Sequence, residues 1–264
     1  MLVIFQLGTL ACLGWLVLSI RDRFRKASLA GAVERVNSLH PLMLLVAYIL
    51  PLFLAVGAFK VGLLPDPTAS GLNGTYFNIV LQLVQILIIL LLIRHVFAGG
   101  LATSFSLNPR ELANDGARSV VSWLCVMPIA LGLLVVVEDI LTSHGIEIPK
   151  HPSIENMKTF SFNGKLLVAF SASVLAPLAE ELFYRGLLQT MLRKWVSAWA
   201  AILITSAIFV AAHVGLHNTW PSLLFLSVVL GYSYERTGRL TSPILIHSLF
   251  NATSVVNLLF FQSA

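Results

Sequence analysis

What this chain has least of is charge. Its 264 residues include 17 Lys and Arg and 12 Asp and Glu, 11% charged in all, against 57% hydrophobic. Ordinary soluble domains carry about 25% charged residues, so a soluble globular fold is excluded and a multi-pass integral membrane protein is expected. Cysteine is nearly absent too. Cys12 and Cys125 both fall inside apolar runs, which leaves no disulfide framework and no Cys-based metal motif. The net charge of +5 forms no basic stripe, because the cations are scattered at the ends of apolar runs. Nucleic acid is therefore not an expected partner, and membrane lipid is. Internal repeats, low-complexity tracts and long Pro/Gly-rich linkers are also missing, so residues 1–264 read as a single domain.

What is present is a series of apolar runs. The length suits seven to nine helices of about 20 residues each, and the runs define an all-α, polytopic transmembrane bundle of about eight spans. They cover approximately 2–20, 41–64, 77–97, 120–137, 166–192, 196–214, 221–234 and 240–261. The first is followed, not preceded, by Arg21, Arg23, Arg25 and Lys26, the reverse of a cleaved signal peptide. Threaded alternately, most Lys and Arg loops fall on one side of the membrane, which places both termini outside. Residues 138–165 form the longest polar connection.

One apolar run contains charges. Within 166–192 stand Glu180, Glu181 and Arg185, each costing roughly 2.5–3.5 kcal/mol on membrane-insertion scales. On a helix Glu181 and Arg185 are i and i+4, the spacing of an ion pair, while Glu180 points about 100° away. This gives the two acids different tasks, Glu181 structural and Glu180 free for chemistry. The bland alternative is a charged helix end at the water interface with Arg185 snorkelling.

Two polar signatures follow downstream. His213 closes the sixth run, and His247 and Asn251 stand at i and i+4 in the eighth. Taken singly, the first resembles an interfacial histidine and the pair resembles interhelical hydrogen-bonding glue. Taken together with Glu180 they have catalytic logic. A carboxylate and an imidazole can hold a water whose proton the carboxylate removes, and imidazole and amide N–H groups can stabilise the resulting oxyanion. No serine or cysteine has an evident base beside it, so a covalent route is unsupported. His40, His95, His144, His151 and His217 lie at span ends or in loops and receive no role.

Glu180-Glu181-x-x-x-Arg185, Phe209-x-x-x-His213 and His247-x-x-x-Asn251, in that order, resemble the CAAX protease and bacteriocin-processing (abortive-infection) family over about 166–261. The resemblance implies an intramembrane endopeptidase that hydrolyses a peptide bond in a membrane-associated, prenylated or leader-type peptide with glutamate-activated water. It implies that Glu180 and His213 activate the water, that His247 and Asn251 form the oxyanion site, and that Glu181 and Arg185 support the structure. It also implies a bacterial plasma membrane location and tasks such as peptide maturation or bacteriocin self-immunity. No cofactor is expected, as His-Glu-x-x-His is absent. A zinc-dependent version would use Glu180, His213 and His247. Two other classes compete: a non-catalytic membrane immunity or scaffold protein, and a proton-coupled transporter, which predicts repeats that are not seen.

Depth poses one difficulty. At 1.5 Å per residue, Glu180 and His247 reach similar depths, whereas His213 falls near the opposite end of its span. Either that helix is tilted or starts late, or the span is shorter than 196–214.

Overall fold

A computed structural model describes residues 40–66, 72–96, 105, 109–146, 148, 160–213 and 217–261. The expected first span, 2–20, lies outside the described residues, as do its basic loop and much of the connection before residue 160. Among the described residues the architecture is all-helical, as the composition requires, with seven helices and one 3₁₀ turn at His217–Thr219.

Helix α1 (Pro41–Lys60) starts where His40 accepts from the Leu42 N–H and Pro41 occupies the first turn, a position that needs no donor. Helix α2 is Leu72–Val96, and α3 is Pro109–Ser143. The expected fourth span, 120–137, is much shorter than α3. Pro109 and Glu111 make a favourable helix start, and the polar turns that follow carry Asp115 to its partner. The far end of α3 also absorbs Glu138, which the hydropathy pattern places in the polar connection 138–165. Helix α4 is continuous over Phe162–Leu192, begun by Ser161 accepting from the Gly164 N–H. Helix α5 (Ala198–Ala211) is capped in the same way by Ser197. Helix α6 (Trp220–Thr237) ends on Gly238, whose φ of 65° is the left-handed C-cap that glycine adopts freely. Helix α7 is Thr241–Phe261.

Four of these, α1 to α4, are long and apolar enough to cross a membrane. Helix α5, with 14 residues, is about 21 Å long at 1.5 Å per residue and falls short of the ~30 Å hydrocarbon core. About eight spans are expected from the sequence; the described helices account for the last seven runs, of which α5 is too short for the same test.

Helix α4 is the centre of the bundle. Within its apolar window 39% is buried, against 17–22% in the other three. Leu182 and Leu187 of α4 pack with Ile89 and Ile93 of α2, Phe209 of α5, and Leu240 at the entry to α7. A second apolar cluster joins α3, α6 and α7 through Val126, Ala130, Leu226, Leu230 and Ile246. The same three helices are tied by a polar knot at one end. Arg239 donates from Nε to Asp115 Oδ2 at 2.8 Å and from Nη2 to Asp115 Oδ1 at 2.7 Å, while Ser119 and Ser233 both reach Ser242.

Helix α4 is not a uniform α-helix. It widens into π geometry at Ser171–Leu175 and again at Leu182–Gln189, with an α segment, Ala176–Glu181, between. Pi-turns of this kind are associated with functional sites. They turn the residues that follow relative to the regular α period, and both acids lie between the two.

Candidate functional site

Arg185 and Glu181 are both fully buried. Arg185 donates from Nη1 to Glu181 Oε1 at 2.8 Å, and from Nη2 to the Ser227 carbonyl at 3.0 Å and the Ser227 hydroxyl at 2.7 Å. Its guanidinium carbon lies 5.2 Å from the centroid of the Phe209 ring, within cation–π range. A charge in this setting persists only when paired and hydrogen-bonded, and these contacts supply that pairing from three helices. The i, i+4 reading of Glu181 and Arg185 is what the structure contains.

His247 completes the pair. Its Nδ1 lies 2.8 Å from the same Glu181 Oε1. An ionised carboxylate only accepts, so Nδ1 carries the hydrogen and Nε2 is directed elsewhere. That nitrogen lies 3.8 Å from Glu180 Oε2. Glu180 differs from its neighbour in kind: its side chain keeps 30% of its surface accessible, and no direct hydrogen bond holds it among the described residues. Glu181 is locked and Glu180 is open.

His213 stands just beyond the end of α5. Its Nδ1 lies 2.8 Å from the Phe209 carbonyl, which can only accept, so Nε2 is the nitrogen left to interact. The Phe209 ring lies between the two imidazoles, with centroids 4.6 Å from His213 and 5.9 Å from His247. Helix α5 is shorter than the expected 196–214, and His213 and His247 both contact the Phe209 ring. Trp220 donates from Nε1 to the His213 carbonyl at 3.2 Å.

Asn251 is placed differently from the other three. Its Nδ2 donates to the Ala172 carbonyl at 2.9 Å, on the first π segment of α4, so the observed bond goes to backbone and not to the Glu180–His247 pair. Sequence reasoning missed this bond, along with Ser227 and Trp220. Ser227 is one of several serines in α6 and carries no signal of its own. Ala172 did carry one: Pro177, inside a helix, must leave a carbonyl five or four residues earlier without its usual donor.

Among the described residues, no three His, Cys, Asp or Glu side chains are grouped so as to hold a metal ion. His247 Nδ1 is committed to Glu181, which leaves Nε2 as the nitrogen of that ring able to meet a ligand.

Residues 162–253 match the family model for type II CAAX prenyl endopeptidase Rce1-like proteins. Similar curated proteins include an uncharacterized 24.3 kDa protein of Escherichia coli, 28% identical over 52% of this chain and 62% of its own length. Another is the UPF0177 protein YaiF of Lactococcus lactis subsp. lactis (strain IL1403), 32% identical over 44% of this chain and 53% of its own. A third is the uncharacterized protein YpbD of Bacillus subtilis (strain 168), 34% identical over 37% and 48% respectively. The matches thus span 48–62% of the relatives' lengths. No solved structure matches the chain. The matched segment holds α4 from its first residue, all of α5 and α6, and His247 and Asn251 of α7. Residues 162–253 are thus similar to the Rce1-like family, in line with the CAAX protease and bacteriocin-processing family that the motifs resemble.

Proposed function

We propose that this protein is an intramembrane endopeptidase in which Glu180 activates water to hydrolyse a peptide bond of a membrane-associated peptide. The observation that carries the reading is the division of labour between adjacent acids. Glu181 Oε1 is held by Arg185 and His247 at 2.8 Å each, while Glu180 remains partly accessible with His247 Nε2 3.8 Å away. A structural ion pair needs one carboxylate; the second, beside the His247 imidazole, has no structural duty to explain it.

In this mechanism a water hydrogen-bonds to Glu180 and to Nε2 of neutral His213. As its oxygen attacks the peptide carbonyl carbon, Glu180 takes a proton and the carbonyl π-electrons move to oxygen. The oxyanion is stabilised by His247, which donates from Nε2 when doubly protonated while Nδ1–H stays anchored on Glu181. Collapse re-forms the carbonyl and breaks the C–N bond, and protonated Glu180 delivers its proton to the leaving amine. Glu181, Arg185 and Ser227 fix His247 and the backbone of α4. Substrates of prenylated or leader-peptide type, drawn from the lipid phase, accord with a family of membrane proteases and with a site set among apolar helices.

The test is purified protein in detergent or proteoliposomes, incubated with a library of membrane-associated peptides, with and without chelator. Cleavage unaffected by chelator supports the proposal. Failure to cleave any member while binding some of them would favour the non-catalytic scaffold.

A further inference from the structure

The first π segment of α4 has a carbonyl whose donor is missing from the backbone. The Ala176 N–H goes to the Ser171 carbonyl, a step of five residues. In that register the next carbonyl, Ala172, would receive the N–H of residue 177. Residue 177 is proline and has none. The α-register donor to Ala172 would be Ala176, which is already turned to Ser171. The Ala172 carbonyl is instead met by Asn251 Nδ2 at 2.9 Å, from α7.

We infer that Asn251 is a positioning residue of the proposed site, its side-chain amide substituting for the backbone N–H that Pro177 lacks and so holding the π segment that orients Glu180. The reasoning is one of register. Reverting a π-turn to α geometry slips the helix by one residue, and one residue is about 100° of rotation. Glu180 lies two turns beyond Ala172, so such a slip on that side would swing its carboxylate away from His247. The segment is held from another direction as well, since the Ser171 hydroxyl donates to Gln82 Oε1 of α2 at 3.0 Å. Helix α7 thereby grips α4 twice, at Glu181 through His247 and at Ala172 through Asn251, with Glu180 between the two grips. An unmet carbonyl within the bundle is costly, which explains why this helix pair carries an amide at that level.

The inference deepens the endopeptidase reading and relies on it only for the activity readout. The experiment is a double-mutant cycle of wild type, Asn251→Leu, Pro177→Ala and the double variant. Unfolding midpoint in detergent and kcat/KM on any cleaved peptide are measured for all four. Asn251→Leu alone is expected to lower the midpoint and reduce kcat/KM about tenfold. With Pro177→Ala, residue 177 again has an N–H, and the same Asn251→Leu change is expected to cost less than about threefold with most of the midpoint loss recovered. Equal losses in both backgrounds would overturn the inference and assign Asn251 to the substrate directly. If wild type cleaves nothing, the endopeptidase reading fails, while coupling or its absence in the midpoints still decides this one.

Discussion

His247 and Glu181 are joined by a 2.8 Å bond from Nδ1 to Oε1, and that single oxygen also receives Arg185. One buried carboxylate oxygen therefore fixes both the imidazole tautomer of α7 and the guanidinium of α4. Since Arg185 continues to Ser227, three helices depend on Glu181.

Glu181→Ala should consequently be among the most destabilising changes in the chain. It leaves Arg185, fully buried, without its counter-charge, a loss of about 3–5 kcal/mol. Chemical unfolding in mild detergent reads it. A stability equal to wild type would mean that Arg185 has another partner in solution.

Two glycines on adjacent helices should respond differently to alanine. A Cβ at Gly231 would lie 3.0 Å from Gln189 Oε1 and 3.2 Å from Ile202 Cγ2, whereas at Gly186 the nearest atom is 3.4 Å away. Gln189 and Ile202 are fully buried, and Gln189 already donates to Gly231 and Glu235, so neither neighbour yields easily. Gly231→Ala should cost about 1–3 kcal/mol, and Gly186→Ala much less. Matching unfolding midpoints for the two variants would contradict this packing.

The pair at the other end of the bundle sets a pH expectation. Hydrogen bonds to Asp115 hold the Arg239 guanidinium above its ordinary range. A cation whose folded-state value is raised contributes its stability in full below the unfolded value and loses it only as pH rises through the folded value. The contribution of this pair on the arginine side should thus be constant through neutral and mildly alkaline pH. Asp115→Ala should remove about 2 kcal/mol, with the same difference from wild type at pH 7 and pH 9. A difference that shrinks between those values would mean another group titrates with the pair.

Much of this was legible in the residues. Few charges and long apolar runs gave an all-helical bundle, and the i, i+4 spacing of Glu181 and Arg185 gave their bond. The different fates of the two acids followed from helical geometry alone, since 100° separates neighbours. Other features were illegible for physical reasons. The start of α3 at Pro109 is polar and lies outside the apolar run 120–137, because hydropathy marks where lipid lies and not where a helix begins. The bond from Trp220 to the His213 carbonyl is a contact no periodicity encodes. Asn251 was read as facing the same centre as His247, since both share one helix face. Their partners diverge because α4 passes them in two different registers, and only Pro177 hinted at that.

The most direct test of the central claim compares Glu180→Gln with wild type for peptide cleavage and for unfolding midpoint in the same preparation. The change is isosteric, and the Glu180 side chain bears none of the contacts that hold α4 to α6. The account predicts a loss of about 10²–10⁴ in rate with the midpoint retained. Cleavage at the wild-type rate by folded Glu180→Gln protein would contradict it.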